Sequence, residues 1–299
     1  MRKSIFLFIL IIVSLLTFGQ QTNNNVIKGF RINEYSIQIG MFGGSSASSS
    51  LADFNILAPN SMLLKSNLFS TFESYAPYYY ESFPNSQFSA SLGFQFSDKQ
   101  RTKYNKHIQL RVGINYMNSS AFSGSLYSSE AKPYDTLTSS QTGQLTYLDS
   151  VVSKQLGMTY SSEQLRLDGS LIFRTNPDAR WSLYSGIGLT AGFSFNAKTT
   201  IHYYTNSRLE SRNPDGSQSY YNFNDGESKT EIFSNKNNFA FSAYIPLGIN
   251  LRLGKKTEFW KKVNLFYEIR PSVNVTYIPE LKTVTNTYFQ QGIGFKISF

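Results

Sequence analysis

The stretch Phe239-Ala-Phe-Ser-Ala-Tyr-Ile-Pro-Leu-Gly-Ile-Asn-Leu-Arg-Leu253 carries an apolar side chain at every odd position. The even positions hold a mixed set that includes Ser242, Gly248 and Asn250. An alternation of period two places successive side chains on opposite faces of a β-strand. The stretch therefore predicts a long strand with one continuous apolar face.

Seven further stretches alternate in the same way. The clearest are 88–96, 108–116 and 289–299. Weaker alternation occurs at 34–42, 164–174, 182–195 and 263–277. Several of these stretches exceed the five or six residues of an ordinary globular strand. Their second faces are rich in Gly, Ser and Gln rather than in the Lys and Glu of a solvated sheet, so a soluble β-sandwich is the less favoured alternative.

The links between these strands alternate in length. Short links are expected at 98–106, 175–180 and 254–262, long ones at 43–86, 118–163 and 196–237, and an intermediate one at 278–285. Single-chain barrels of outer membranes have an even number of strands, short periplasmic turns and long extracellular loops. The sequence therefore predicts an all-β fold, a closed antiparallel transmembrane β-barrel of about eight strands.

Two of the long loops contain further signals. In the second loop, 145–148 and 151–152 could form another strand pair, which would raise the count to ten. In the third loop, the turn sequences Asn213-Pro-Asp-Gly216 and Asn224-Asp-Gly226 predict a hairpin above the membrane.

The N-terminus indicates export. Arg2 and Lys3 precede an apolar run at 5–18, and the small residue Gly19 follows it. Residues 1–19 are predicted to be a cleaved signal peptide, because about fourteen apolar residues are fewer than the roughly twenty of a spanning helix. An uncleaved anchor is the less favoured alternative. Residues 20–299 are then a single barrel domain.

The composition agrees with an exported membrane barrel. The chain has 25 Phe and 20 Tyr, and its charged fraction of 16% lies below the typical ~25%. It contains no cysteine, which excludes disulfides, thiolate metal sites and a lipid-modified cysteine. Export also argues against nucleic acid as a partner.

The last strand carries a terminal pattern, Gly292-Ile-Gly-Phe-Lys-Ile-Ser-Phe299. With the export signal, it makes the chain resemble the bacterial outer-membrane protein β-barrel domain family, in the small class of about eight strands. The resemblance implies the outer membrane as location, and outer-membrane lipids and the assembly machinery as partners. It implies an assembly signal at Ile293, Phe295, Ile297 and Phe299. It does not identify an activity, because fold does not imply function.

Two prolines depart from the strand pattern. Pro246 and Pro271 each remove a backbone donor within a predicted strand. Bulges are expected at both positions.

Charged residues on the inward-facing parity are the candidate site. They are Arg111, Arg166, Asp168, Arg174, Arg252, Glu268, Arg270 and Lys296. Five of them are predicted to form one lumen cluster, namely Arg111, Arg166, Asp168, Glu268 and Arg270. An eight-stranded barrel has an interior just wide enough for side chains to fill. A packed ion-pair network is therefore favoured over a narrow selective pore.

A second set of charges lies in two short links. The basic rim predicted at the periplasmic end consists of Lys99, Arg101, Lys103, Lys255, Lys256, Lys261 and Lys262. Such a rim is attracted to anionic lipid headgroups, at up to ~1 kcal/mol per charge. A sharper interpretation is a docking site for an acidic periplasmic protein.

Nothing in the sequence predicts a cofactor, a metal site or catalysis. His107 and His202 are the histidines of the chain, and Ser207 and Glu210 are among many residues that could accompany His202. A lipid-modifying barrel enzyme with a triad is therefore a less favoured class. We expect a non-enzymatic barrel with a structural, surface-interaction or envelope and secretion-assembly role, and an extracellular or periplasmic protein as a candidate partner. A narrow porin-like transport channel is the alternative.

Overall fold

The structure is a computed structural model that describes residues 29–45, 47–65, 73–74, 85–97, 104–176, 178–212, 218–223, 226–254, 257–281 and 283–299. Eight strands form a closed ring in which neighbours are antiparallel. They are β1 Phe30–Ser45, β2 Asn85–Phe96, β3 Ile108–Thr138, β4 Leu145–Arg174, β5 Trp181–Arg212, β6 Phe239–Tyr244 with Leu247–Arg252, β7 Val263–Tyr277 and β8 Thr283–Ser298. The predicted eight-stranded barrel is confirmed. The predicted signal peptide lies outside the described residues.

Closure joins the last strand to the first. Tyr35 of β1 lies opposite Ile297 of β8, and Ile39 lies opposite Ile293. The other edge of β8 pairs with β7 along its whole length. Every strand of the ring therefore has a partner on both sides.

Short helices lie in the links. They are α1 Leu51–Leu57, α2 Met62–Lys65 and α3 Glu258–Lys262. Helix α1 begins with a capping box, in which Ser50 and Asp53 each accept a hydrogen bond from the backbone of the other. In the part of the chain that the structure describes, no helix is long and apolar enough to cross a membrane.

Side chains alternate between the lumen and the outside of the ring. In β6, Phe239 and Phe241 are exposed on the outside, whereas Ala240, Ser242 and Tyr244 are buried inside. Other outward apolar residues continue this belt: Ile39, Ile114, Leu167, Leu183, Ile187, Leu189, Phe193, Val273, Phe289, Ile293 and Phe295. Apolar surface in water costs about 25 cal/mol per Å². A lipid environment removes that cost, which is the condition under which such a belt is stable.

Three neighbouring strands, β3 to β5, continue far beyond the rest of the ring. The pairing of β2 with β3 ends at Asn118, but β3 and β4 stay paired until Thr138 lies opposite Leu145. The segment 118–163, predicted as a long loop, is therefore mainly a β-hairpin. Residues 145–152 extend β4 and add no strand to the ring, so the alternative count of ten is wrong.

The segment 196–237 is also mainly β-structure. Strand β5 continues to Arg212, and the chain returns as the short strands Gln218–Phe223 and Ser228–Ser234, both antiparallel to β5. This return agrees with the predicted hairpin. The turn residues 213–217 and 224–225 lie outside the described residues.

Bulges mark the level at which β3 to β5 leave the ring. The register shifts at Ala121 of β3 and at Asn196 of β5, where φ is 52°. An extra residue turns the following side chains to the opposite face, so the buried positions of β5 are even up to Ser194 and odd from Ala197.

An apolar core closes the ring above these bulges. It combines strand residues with residues of α1 and of the β7–β8 link: Phe54, Leu57, Phe122, Leu156, Met158, Tyr160, Ile201, Tyr203, Ile278 and Val284. Apart from Tyr203 and Val284, which are slightly exposed, these side chains have almost no contact with solvent. The end of the ring that carries the long links is therefore filled by packed side chains.

The bulges expected at Pro246 and Pro271 are absent. The register of β6 with β7 is the same before and after Pro246, and Pro271 stays paired with Phe289 of β8. The Ile245 N–H donates to the Pro271 carbonyl at 3.1 Å, but Pro271 has no N–H with which to return the bond. The missing donors interrupt the ladder locally without inserting a residue, so the expectation of bulges is wrong.

The parity of β6 predicts which labels reach lipid. Spin labels on cysteines at 243 and 247 should be accessible to oxygen dissolved in the bilayer, because Ala243 and Leu247 lie on the outer face. Labels at Ser242 and Asn250, which are buried in the lumen, should not be. Electron paramagnetic resonance accessibility in vesicles measures this, and the reverse pattern would contradict the inside-out assignment.

Candidate functional site

Three strands place four charged side chains at one level of the lumen. Arg111 comes from β3, Asp168 from β4, and Glu268 and Arg270 from β7. Each occupies an inward position of its strand, and Glu268 is 0% exposed. We call these four residues the lumen network.

The lumen network is a connected set of ion pairs. The guanidinium of Arg111 donates two bonds to Glu268, at 2.7 and 3.1 Å. Arg270 donates to Glu268 through Nε and to Asp168 at 3.0 Å through Nη1. Two positive and two negative charges are thereby matched in a water-poor interior, where an uncompensated charge would be strongly destabilising.

Two tyrosines complete the hydrogen bonding of the carboxylates. The Tyr184 hydroxyl donates to Glu268 at 2.7 Å, and the Tyr244 hydroxyl donates to Asp168. Glycines make room for both rings: a Cβ added at Gly248 would lie 2.2 Å from Cζ of Tyr184, and one at Gly188 would lie 2.3 Å from Cζ of Tyr244. The glycines at these two inward positions therefore leave the space that the two rings occupy.

Arg166 does not join the lumen network. The sequence groups it with the four residues above, but its guanidinium bonds to Gln164 and to the Ser242 hydroxyl, the latter at 2.9 Å. It is 1% exposed, and among the described residues no carboxylate forms a salt bridge with it. Arg166 and Asp168 are neighbours on the same face of β4, and the strand pattern cannot specify which way a long side chain bends.

A second ion-pair group lies nearer the short-link end. Glu34 is 2.8 Å from Arg174 and 3.7 Å from Lys296. The sequence identified Arg174 and Lys296 as inward-facing but missed Glu34. Glu34 shares its parity with Ser36 and Gln38 in the alternating stretch 34–42, so the alternation contained the signal that could have identified it.

The basic rim is only partly described. Five of its seven residues lie outside the described residues, namely Lys99, Arg101, Lys103, Lys255 and Lys256. Lys261 and Lys262 are on α3, and Lys261 bonds to Glu258 at 2.6 Å. That bond holds the pKa of the Glu258 carboxyl below its usual value.

The residues predicted to form an assembly signal lie on the outer face of β8 and at its end. Ile293, Phe295 and Phe299 are exposed. The Phe299 ring packs edge-on against Tyr35 of β1, with centroids 5.0 Å apart. The apolar side chains of the terminal strand therefore lie where they would meet lipid.

The histidines are not arranged for catalysis. Nδ1 of His202 lies 2.8 Å from the Thr230 hydroxyl, and Glu210 pairs with Arg208. Ser207 and Glu210 lie roughly 16 and 26 Å further along the same strand at ~3.3 Å per residue, whereas a triad requires direct hydrogen bonds. His107 faces the Thr175 carbonyl at 2.8 Å. In the described ranges, no three His, Cys, Asp or Glu residues are grouped to hold a metal.

No family model matches the chain, and no curated protein matches it. Among solved structures, Neisserial surface protein A is similar at 11% identity, with a TM-score of 0.28 and coverage of 91% of this chain and 98% of that one. Ail of Yersinia pestis, in complex with the heparin analogue sucrose octasulfate, is similar at 11% identity, with a TM-score of 0.22 and coverage of 89% and 99%. The fold assignment rests on the closed ring of strands itself.

Removal of one carboxylate tests the lumen network. We expect Glu268→Gln to lower the free energy of unfolding by about 3–5 kcal/mol, because Arg111 and Arg270 lose a shared buried partner. Urea unfolding in lipid vesicles measures the change. Glu258→Gln is the matched control on the exposed rim, where solvent screens an ion pair and its loss changes stability little. Equal midpoints for the two variants would contradict a coupled network.

Proposed function

We propose that this chain is a non-enzymatic outer-membrane protein whose plugged barrel anchors a ligand-binding β-sheet at the cell surface. In this proposal residues 1–19 direct export and are cleaved, the short links face the periplasm, and β3 to β5 project outward. The protein would lie in outer-membrane lipid and would contact an extracellular protein or polysaccharide through the projecting strands.

The filled lumen supports an anchor rather than a channel. The lumen network crosses the bore at mid-height, with Arg111 on β3 bonded to Glu268 on β7. Above it, the apolar core built on Phe54, Phe122 and Tyr160 closes the opposite end. An eight-stranded ring has little space beyond that of its side chains, so two filled levels in series disfavour solute passage.

The projecting parts of β3 and β4 support a ligand-binding role. Residues 121–138 of β3 and 145–161 of β4 pair with each other beyond the ring and reach roughly 50 Å at ~3.3 Å per residue. Membrane anchoring alone does not require such a sheet. Its tip exposes Tyr134, Leu137 and Tyr147, and aromatic and apolar residues of this kind are typical of binding surfaces.

A variant with a shortened sheet tests whether the projecting strands, rather than the barrel, bind the ligand. Residues 131–151 can be replaced by Asn-Gly, since Glu130 and Val152 already pair across β3 and β4 and a two-residue turn can close them. Cells that display the full chain should bind at least one component of a panel of matrix proteins and sulfated polysaccharides. The trimmed chain should lose that binding.

Controls for this experiment address folding and conduction. The trimmed chain should keep the unfolding midpoint of its ring, and Glu258→Gln, at the opposite end of the barrel, should bind as the full chain does. In planar bilayers neither chain should give single-channel steps above background. Binding that survives trimming would contradict the binding role of the sheet. Regular conductance steps would contradict the plugged barrel and favour the narrow transport channel.

We further propose that β8 carries the signal read by the assembly machinery. Its outward side chains and terminal Phe299 present an apolar edge next to β1. The alternative role of Phe299 is only to pack against Tyr35 in the aromatic girdle of the barrel.

Deletion of Phe299 tests the signal. We expect the shortened chain to accumulate or be degraded in the periplasm, which membrane fractionation detects. Phe289→Ala is the control, because Phe289 is equally exposed on the same face of β8 but is not terminal. Normal insertion of the deletion variant with a lower melting temperature would leave Phe299 only the girdle role.

A further inference from the structure

A cavity of about 290 Å³ opens into the lumen at the short-link end of the barrel. Six of the side chains that line it are cationic: Arg31, Lys106, Arg174, Arg252, Lys261 and Lys296. We call this cavity the basic vestibule. Its volume is at the lower end of the range for small-molecule sites.

The ring itself places these charges inside the barrel. Arg174 of β4 and Lys296 of β8 occupy inward positions, and Lys296 is almost fully buried. Arg31 of β1 reaches across to Gln95 of β2 at 3.0 Å and stacks 4.3 Å above the Tyr104 ring. The cations therefore face the lumen axis rather than the lipid that surrounds the ring.

Carboxylates neutralise the basic vestibule only in part. Asp178 lines the cavity and pairs with Lys106 at 2.8 Å. Glu34 forms ion pairs with Arg174 and Lys296, and Glu258 pairs with Lys261 on the rim. Among the described residues of this region, six basic side chains meet three acidic ones, so basic groups outnumber acidic groups.

The basic groups lower the pKa of the Asp178 carboxyl. The hydrogen bond from Lys106, with the nearby charges of Lys106 and Arg252, holds the pKa of Asp178 below its usual value. The Asp178 carboxylate at the mouth of the vestibule therefore stays ionised. Its negative charge is already included in the comparison above, in which the basic groups remain in excess.

We propose that the basic vestibule binds a small phosphate-type oxyanion, either a phosphate ester or a diphosphate. Guanidinium groups match the paired oxygens of phosphate, and ammonium groups add point charge. The wall also supplies neutral hydrogen-bonding side chains, Asn33, Gln95, Asn250 and Asn264. The cavity holds about ten waters at ~30 Å³ each, enough for a diphosphate but not for a large polyanion.

Two sources could supply this chemistry. A lipid headgroup would have to bend from the surrounding leaflet around the rim of the ring, whereas a soluble ester would enter along the barrel axis. The inward direction of Arg31, Arg174 and Lys296 favours the soluble source. This site is independent of the surface-binding role, because the sheet tip lies at the opposite end of the barrel.

The test uses the full chain in zwitterionic nanodiscs with pyrophosphate as the probe, followed by isothermal titration calorimetry at fixed ionic strength. We expect saturable binding that becomes about tenfold weaker in Arg31→Gln and in Lys106→Gln, the size of one charge-assisted hydrogen bond. Arg31 bonds to a neutral amide, and the Lys106 pair is exposed, so both variants should fold. Lys132→Gln and Lys229→Gln, which remove one exposed charge each at the other end, should bind as the unmodified chain does.

Nanodiscs that contain phosphatidylglycerol distinguish the two sources. Competition with pyrophosphate would identify a lipid headgroup as the ligand, and unchanged binding would identify a soluble ester. Either result supports the site. Equal weakening in all four variants, or displacement by chloride at the same ionic strength, would mean a diffuse charge effect and would overturn the proposal. Absence of saturable binding would overturn it as well.

Discussion

The closed ladder of backbone hydrogen bonds is the constraint on which the rest of this structure depends. Lipid offers no partner for an N–H or a C=O group, so a sheet that crosses it must have no free edge. The pairing of β8 with β1 satisfies that requirement. Once the ring closes at eight strands, the bore is fixed at the width of packed side chains, and every inward residue must fit that space.

The narrow bore explains how the lumen is organised along its axis. At mid-height, water is excluded, and the charges of Arg111, Asp168, Glu268 and Arg270 balance each other. Toward the short links the cavity is open, and an excess of basic groups is tolerated there because solvent and small anions can screen it. The same parity of the strands therefore produces a structural ion-pair network at one level and an anion-binding cavity at another.

At the end of the ring that carries the long links, a bulge changes which face of a strand is buried. The bulges at Ala121 and Asn196 turn apolar residues toward the axis just where β3 to β5 leave the ring. These residues and α1 form the core that closes the barrel. Beyond that core the three strands remain paired with each other, so the projecting sheet is a continuation of strands of the ring.

The sequence alone determined the ring, because alternation over stretches such as 239–253 follows directly from the two faces of a strand, and the number of such stretches is the number of strands. It also predicted inward positions for Arg111, Asp168 and Glu268, among others, but not for Glu34. Only the tertiary structure decided that Arg166 stays apart from Asp168, that Glu34 pairs with Arg174, and that 118–163 is mainly a hairpin. These outcomes depend on side-chain direction, bulge position and pairing between distant strands, and a pattern of period two contains none of that information.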